Sequence, residues 1–112
     1  MPFTFSHYEL SGLVLIEQKT FEDSRGFFKE TYKFDAFAAQ GIEDSFVQDN
    51  LSVSARDVLR GMHFQTPPKA QAKLITVLKG TILDVAVDLR KDSPTYLKWA
   101  AIELTAEKHQ AL

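Results

Sequence analysis

The chain of 112 residues contains no cysteine, which excludes disulfide bonds, thiol catalysis and zinc–thiolate sites together. A lack of cysteine is typical of proteins from a reducing compartment, so we expect a cytoplasmic protein. An excess of basic residues is also missing. The formal net charge is −2, which argues against nucleic acid as a partner.

Several other signals are absent as well. No apolar run approaches membrane-spanning length, and the first ten residues lack the basic and apolar segments of a signal peptide. We therefore expect no membrane partner. The sequence has no glycine-rich phosphate loop and no His-x-His or His-Glu-x-x-His spacing, so we predict no metal site. Without repeats or flexible linkers, residues 1–112 are predicted to form a single domain.

What the sequence does contain is a series of short β-branched and aromatic runs with turn residues between them. We predict strands over 3–8, 13–17, 27–32, 46–53, 58–65 and 96–104, and a hairpin formed by 73–79 and 81–89. The one predicted helix covers 33–40, where Phe34, Phe37 and Ala38 recur at helical spacing. Because no crossover helices are present, the predicted fold class is all-β, an antiparallel sandwich or barrel.

The most unusual stretch is 58–65, which reads V-L-R-G-M-H-F-Q. Arg60 carries a rigid fork of donors that suits anions, and His63 can take up or release a proton near neutral pH. In a regular strand these two side chains point to opposite faces, but a bulge at Gly61 would bring them together. This pattern favours a site that binds an anion and moves a proton. The alternative to a functional role is that His63 is a structural residue, with a half-buried ring that is hydrogen-bonded to a backbone carbonyl.

Other candidate residues also have two interpretations. Gln48 and Asn50 share one face of a predicted strand, which is either a solvated surface or the polar lining of a barrel cavity. Lys73 is either solvated or able to stabilise a developing enolate. Asp84 falls on a face with apolar neighbours, where a carboxylate requires a partner.

Three further candidates lie in or after 21–26 (F-E-D-S-R-G), which is predicted to be a turn or loop. Arg25 either decorates the turn or reaches a phosphate group. Glu30, close to Phe28, is either an ordinary exposed carboxylate or part of a binding site.

Five blocks of the sequence resemble the dTDP-4-dehydrorhamnose 3,5-epimerase family, in family order and spacing. They are D-S-R-G-F-F-K-E (23–30), F-V-Q-D-N-L-S (46–52), V-L-R-G-M-H-F-Q (58–65), Q-A-K-L (71–74) and G-T-I-L-D-V-A-V-D-L-R-K-D-S-P-T (80–95). The resemblance implies a cupin-type jelly roll that pairs as a homodimer. It also implies a cofactor-independent isomerase that epimerises dTDP-4-dehydro-6-deoxy-D-glucose at C3 and C5 in dTDP-L-rhamnose biosynthesis.

The resemblance further implies a role for each candidate residue. By match to the family pattern, His63 is the base that removes the protons and Lys73 stabilises the enolate oxygen at C4. The remaining matched residues bind the nucleotide or the sugar, with Phe28 packing on the thymine: Arg25, Phe28, Glu30, Gln48, Asn50 and Arg60.

Members of the family continue well past the position of Leu112. The additional part contains the tyrosine that returns a proton and the aspartate that orients the catalytic histidine. From this difference we expect a truncated chain, a gene fragment or a short homologue. Two alternatives to the full reaction therefore stay open at this point: an inactive nucleotide-sugar-binding module, and an epimerase that acts only at C3 of a related nucleotide-sugar.

Overall fold

The computed structural model describes residues 2–112 and is built mainly of short strands. In chain order the elements are β1 (Phe3–His7), β2 (Val14–Gln18), β3 (Thr20–Asp23), β4 (Gly26–Lys29), α1 (Phe34–Ala38), β5 (Thr81–Val87), β6 (Trp99–Thr105), a 3-10 helix (Ala106–Lys108) and β7 (Gln110–Ala111). Every pair of strands is antiparallel. The predicted all-β class with one short helix is confirmed.

The strands form three small sheets. The first has the order β1-β2-β7, and the other two are the pairs β3-β4 and β5-β6. In the first sheet Ile16 lies opposite Phe5 on one side and Ala111 on the other. None of the described helices is long and apolar enough to cross a membrane.

The main core forms where α1 packs on the first sheet. Phe37 is completely buried, and its ring lies 5.2 Å from that of Phe3, 5.5 Å from that of Phe5 and 4.8 Å from that of Tyr32, measured between centroids. All three arrangements are edge-to-face, which is a favourable geometry for aromatic pairs. The five-residue helix is thus held by tertiary packing, because so short a helix is not stable by itself.

The segment before β5 is anchored to the same core. Leu74 packs against the buried cluster that contains Phe37. Ile75 and Leu112 exchange two backbone hydrogen bonds of 2.9 and 3.0 Å, and Thr76 forms an isolated bridge with Ala111. This bridge extends the first sheet beyond β7 but is too short to count as a strand.

Three predicted strands are wrong. The structure assigns no strand to 46–53, 58–65 or 73–79, and β5 pairs with β6 instead of with 73–79. Alternation of polar and apolar residues is not sufficient for a strand, because the backbone must also form hydrogen bonds with a neighbouring strand. Within residues 2–112 the first two segments meet none, and side chains such as Val47 and Leu59 stay about nine-tenths exposed.

Smaller differences concern the boundaries of elements; for example, the predicted strands 27–32, 81–89 and 96–104 are observed as Gly26–Lys29, Thr81–Val87 and Trp99–Thr105. The predicted loop 21–26 contributes Phe21 to Asp23 to strand β3, which leaves only Ser24 and Arg25 as the turn. The predicted helix 33–40 is present but limited to Phe34–Ala38. Helix ends of this kind shift by a residue or two because terminal turns lack part of their hydrogen bonding.

The loop between β5 and β6 is organised around the carboxylate of Asp88, whose side chain is 1% exposed. It accepts hydrogen bonds from the backbone N–H and guanidinium of Arg90 and from the hydroxyls of Ser93 and Thr95, at 2.5 to 3.1 Å. These bonds, led by the one from Arg90, hold the pKa of Asp88 far below its usual range. The carboxylate therefore stays ionised and fixes the loop.

We predict that Phe37→Ala lowers the free energy of unfolding by about 3–5 kcal/mol, because it leaves a cavity in the core. Urea denaturation followed by circular dichroism measures the change. The matched control is Phe34→Ala in the same helix, where the ring is 45% exposed. Equal losses from the two substitutions would contradict the assignment of Phe37 to the core.

A second prediction concerns Asp88 and pH. Because the pKa of Asp88 is depressed in the folded chain, its contribution to stability is present above the pKa of an unfolded aspartate, about 4, and is lost as the pH falls further. The stability advantage of the wild type over Asp88→Asn should therefore be constant from pH 7 to 5 and shrink below about pH 4.

Urea denaturation at successive pH values measures this difference in stability. Asp92→Asn, at an exposed position in the same loop, serves as the control and should show no comparable advantage at any pH. An advantage over Asp88→Asn that grows on acidification would refute the role given to this carboxylate.

Candidate functional site

Most of the predicted site residues lie in one long segment, 43–74, which contains no strand and no α-helix. The segment starts after α1 and ends at Leu74 in the core. Five candidate side chains project from it, and all five are exposed: Gln48, Asn50, Arg60, His63 and Lys73. All five therefore lie on one connection of the chain, and none of them is buried.

Gln48 and Asn50 are in direct contact, although the predicted strand 46–53 does not form. The Gln48 side-chain amide donates a hydrogen bond of 3.1 Å to Oδ1 of Asn50. Each amide retains further donors or acceptors that can reach a ligand. The pair is a small polar surface that matches hydroxyl and phosphate groups.

Arg60 folds back onto its own segment. Its Nε donates to the hydroxyl of Ser54 at 3.0 Å, and a terminal nitrogen donates to the carbonyl oxygen of Val53 at 3.3 Å. Because a guanidinium has five N–H donors, further donors stay directed away from these two acceptors. The contacts orient the charged group without neutralising it.

Gly61 separates Arg60 from His63 and has a φ of +125°, a conformation that side-chain-bearing residues rarely adopt. A Cβ at this position would stand 3.9 Å from Nδ1 of His63, so the ring lies close to the glycine. The hypothesis of a β-bulge is wrong in its literal form, because no ladder runs through Gly61. The backbone nevertheless departs from an extended strand at that residue.

Lys73 connects this segment electrostatically to β5. The charged group that it affects there is Asp84, which is half-buried. Burial raises the pKa of Asp84, while the positive charge of Lys73 lowers it in part. Among residues 2–112, no hydrogen bond or ion pair joins His63 to Lys73 or to Arg60.

The remaining three candidates lie on or beside the β3–β4 hairpin. Arg25 forms a 2.6 Å ion pair with Asp23, and its side chain is 88% exposed. Phe28 is two-thirds exposed on β4. Glu30, by contrast, has one buried carboxylate oxygen that accepts no hydrogen bond from the described residues. The hairpin therefore presents a cation and an aromatic ring to the outside.

Two depressions in the surface are separate from these residues. One, of about 460 Å³, is lined mainly by the turn between β1 and β2 and by the end of β5. The other, of about 340 Å³, is formed by residues 64–69. Neither is lined by any of the predicted site residues. Within residues 2–112, no three His, Asp or Glu side chains are arranged to hold a metal ion.

One contact that positions the hairpin was missed by the sequence analysis. Nζ of Lys29 lies 3.0 Å from Nδ1 of His109, and the ring of Phe27 lies 4.8 Å from the imidazole ring. Burial lowers the pKa of Lys29. In the sequence His109 simply follows residues 105–108, and this position does not indicate that its partner lies eighty residues away.

Comparison with known proteins places this arrangement in a family. A family model described as dTDP-4-dehydrorhamnose 3,5-epimerase matches residues 7–112. The curated dTDP-4-dehydrorhamnose 3,5-epimerase of Methanothermobacter thermautotrophicus is 47% identical over 108 residues, which are 96% of this chain and 58% of that protein. The chain thus spans little more than half the length of the curated relatives it matches.

Two solved structures are similar throughout the chain. The dTDP-4-dehydrorhamnose 3,5-epimerase of Bacillus anthracis, solved with TDP and PPi bound, has a TM-score of 0.93 at 45% identity and is matched over 97% of this chain and 63% of its own. The dTDP-6-deoxy-D-glucose-3,5-epimerase of Legionella pneumophila, in complex with dTDP-4-keto-L-rhamnose, has a TM-score of 0.91 at 40% identity, with coverage of 97% and 58%.

These matches confirm the predicted cupin-type jelly-roll class. The family match also includes every candidate site residue, from Arg25 to Lys73. The resemblance seen in five short blocks of the sequence therefore extends over almost all of the chain. On this basis the chain belongs to the dTDP-4-dehydrorhamnose 3,5-epimerase family.

Proposed function

We propose that this chain acts in the 3,5-epimerisation of dTDP-4-dehydro-6-deoxy-D-glucose to dTDP-4-dehydro-L-rhamnose, a step of dTDP-L-rhamnose biosynthesis. The observation that carries the proposal is the family match over residues 7–112, which contains all eight candidate residues. The ligands of the similar structures support it, since one holds TDP and the other dTDP-4-keto-L-rhamnose.

The proposed chemistry needs a base and an electrostatic stabiliser. The ketone at C4 of the sugar acidifies the C–H bonds at C3 and C5, so a base can remove either proton and leave an enolate. His63 is the proposed base, and the ammonium of Lys73 is the proposed partner of the enolate oxygen. Return of a proton to the opposite face inverts the carbon. No electron is transferred, so the step requires no redox cofactor.

The proposed binding groups suit a nucleoside diphosphate. Arg60 already directs a fork of donors outward, and two of its bonds go to neutral oxygen atoms that a phosphate can replace. Gln48 and Asn50 add neutral donors and acceptors for sugar hydroxyls. On the β3–β4 hairpin, Arg25 and Glu30 would bind the nucleotide, and Phe28 would stack on the thymine ring.

We also propose that the protein works as a homodimer in the cytoplasm. The exposed hairpin that carries Arg25 and Phe28 supports pairing, because such a projecting binding surface can reach the site of a second copy. The chain has no cysteine, as is common in a reducing compartment. Its slightly negative net charge fits a protein that does not bind nucleic acid.

The first test follows the exchange of protons at C3 and C5. When the chain is incubated with substrate in deuterated water, deuterium should enter at both carbons, as measured by mass spectrometry and proton NMR. Replacing the base in His63→Gln should slow exchange by roughly a hundred- to ten-thousandfold. The control is His7→Gln, at an exposed position on β1, which should exchange at the wild-type rate.

Two outcomes would count against epimerisation at both carbons. A folded wild-type chain that exchanges neither proton is not an active epimerase. Exchange at C3 alone would instead identify an epimerase of narrower action.

The second test measures nucleotide binding without reference to catalysis. Arg60→Ala should weaken the affinity for dTDP about ten- to a hundredfold, the loss expected when a hydrogen-bonded charge on a phosphate is removed. Isothermal titration calorimetry measures this affinity. Arg56→Ala is the matched control, because Arg56 is 95% exposed in the same segment and has only a 3.9 Å ion pair with Asp57.

Equal affinities for Arg60→Ala and Arg56→Ala would overturn the assigned role of Arg60. Clear binding of dTDP by a wild-type chain that shows no proton exchange would identify a nucleotide-sugar-binding module.

A further inference from the structure

The β3–β4 hairpin shares no strand with the other two sheets. Its two strands pair with each other, and within residues 2–112 no backbone hydrogen bond joins residues 20–29 to another segment. A two-stranded hairpin is only marginally stable by itself. The position of this hairpin relative to the rest of the chain therefore depends on its side-chain contacts.

Lys29, at the end of β4, makes such a contact. Its Nζ lies 3.0 Å from Nδ1 of His109, and among the described residues this is the one side-chain hydrogen bond between 20–29 and another segment. Lys29 forms no ion pair with any residue of 2–112. An ammonium donates hydrogen bonds and cannot accept them, so Nδ1 is the acceptor and the ring proton lies on Nε2.

The backbone of His109 is held on both sides. Before it, the 3-10 helix is capped by the hydroxyl of Thr105, which accepts hydrogen bonds from the backbone N–H groups of Glu107 and Lys108. After it, the chain continues directly into β7. The carbonyl oxygen of His109 also accepts a 2.8 Å hydrogen bond from the N–H of Gln18, at the end of β2. The first sheet and the capped turn thus fix the point from which the imidazole projects.

Strand β4 presents different residues on its two sides. Phe27 and Lys29 are two residues apart, so their side chains leave the strand on the same side. Both meet His109, because the ring of Phe27 lies 4.8 Å from the imidazole in an edge-on arrangement. Phe28 lies between them, points to the opposite side and is 68% exposed. The contact with His109 on one side therefore determines where the other side presents the ring of Phe28.

We propose that His109 is a positioning residue for nucleotide binding. Its neutral imidazole accepts the hydrogen bond from Lys29 and holds the β3–β4 hairpin so that the outer side presents Phe28 to the thymine ring. The effect on binding rests on the proposed function, in which the hairpin binds the nucleotide; the hydrogen bond itself does not. His109 touches neither nucleotide nor sugar and acts through the hairpin alone.

This arrangement favours binding by preorganisation. A hairpin that is already held loses less conformational freedom when the nucleotide binds, so more of the contact energy remains as affinity. The nucleotide takes no part in the bond changes at C3 and C5. The effect therefore belongs to ground state and transition state alike, and appears in the affinity and in KM but not in kcat.

The hydrogen bond is tested by nitrogen-15 NMR of the imidazole rings at pH 8, above the usual titration range of histidine. The signals of His109 are those that disappear in His109→Asn. In the wild type Nδ1 should carry no proton, and Lys29→Met should shift its signal because the nitrogen loses its donor. Lys108→Met removes an exposed charge beside His109 and should leave the signal in place. A proton on Nδ1, or equal signals in Lys29→Met and the wild type, would overturn the proposal.

Two substitutions at position 109 test the effect on binding while Lys29 keeps its charge. Both suit the φ of +52° at this residue, because glycine and asparagine adopt left-handed conformations readily. His109→Gly removes the acceptor and should weaken the affinity for dTDP about tenfold, as expected for one hydrogen bond. His109→Asn attaches an amide oxygen to Cγ, where the imidazole carries Nδ1, and should recover most of that affinity. Isothermal titration calorimetry measures both.

The deuterium-exchange assay should show the same effect as a higher KM in His109→Gly, with kcat close to that of the wild type. Wild-type affinity in His109→Gly, or a loss that His109→Asn does not recover, would refute the positioning role. If circular dichroism shows that His109→Gly is unfolded, Lys29→Met is compared with Lys108→Met instead, and equal affinities of these two variants would refute it.

The two experiments also separate this proposal from the proposed function. A folded wild-type chain that does not bind dTDP defeats the proposed function, whereas the nitrogen-15 spectra still decide whether Lys29 and His109 are bonded. Binding of dTDP by the wild type together with unchanged spectra in Lys29→Met would leave the proposed function intact and defeat the role of His109.

Discussion

The burial of Phe37 is the contact on which the rest of the structure depends. Its ring joins the short helix to the first sheet through edge-to-face packing on Phe3 and Phe5. Ile42, just after the helix, and Leu74, just before the isolated bridge, both pack on the cluster that contains this ring. The segment carrying the candidate site is therefore held at both of its ends by a single core.

Between those ends the segment depends on local contacts. Hydrogen bonds between near neighbours in sequence orient Gln48 and Arg60, and a glycine with positive φ turns the chain next to His63. Contacts of this kind define the direction of a side chain over a few residues. They do not define distances across the site, which would need strands on both sides of the segment. The residues of the site follow one another along the chain, and no strand of residues 2–112 sets the distances between them.

Two carboxylates, Asp84 on β5 and Asp88 directly after it, have different surroundings, and their pKa values shift in opposite directions. Asp88 accepts hydrogen bonds from Arg90, Ser93 and Thr95, and these bonds lower its pKa strongly. Asp84 lies in an apolar setting that raises its pKa, with the charge of Lys73 as partial compensation. The first group is fully satisfied and holds a loop. The second forms no ion pair with any side chain of residues 2–112.

The sequence by itself determined the fold class, the position of the helix and the family, because these depend on local propensity and on residue types in a fixed order. The tertiary structure alone decided that 58–65 forms no strand, that β5 pairs with β6, and that Lys29 meets His109. Pairing and burial depend on which distant segments come together. Alternation along one strand contains no information about its neighbour, so the partners of a strand or a charge cannot be read from it.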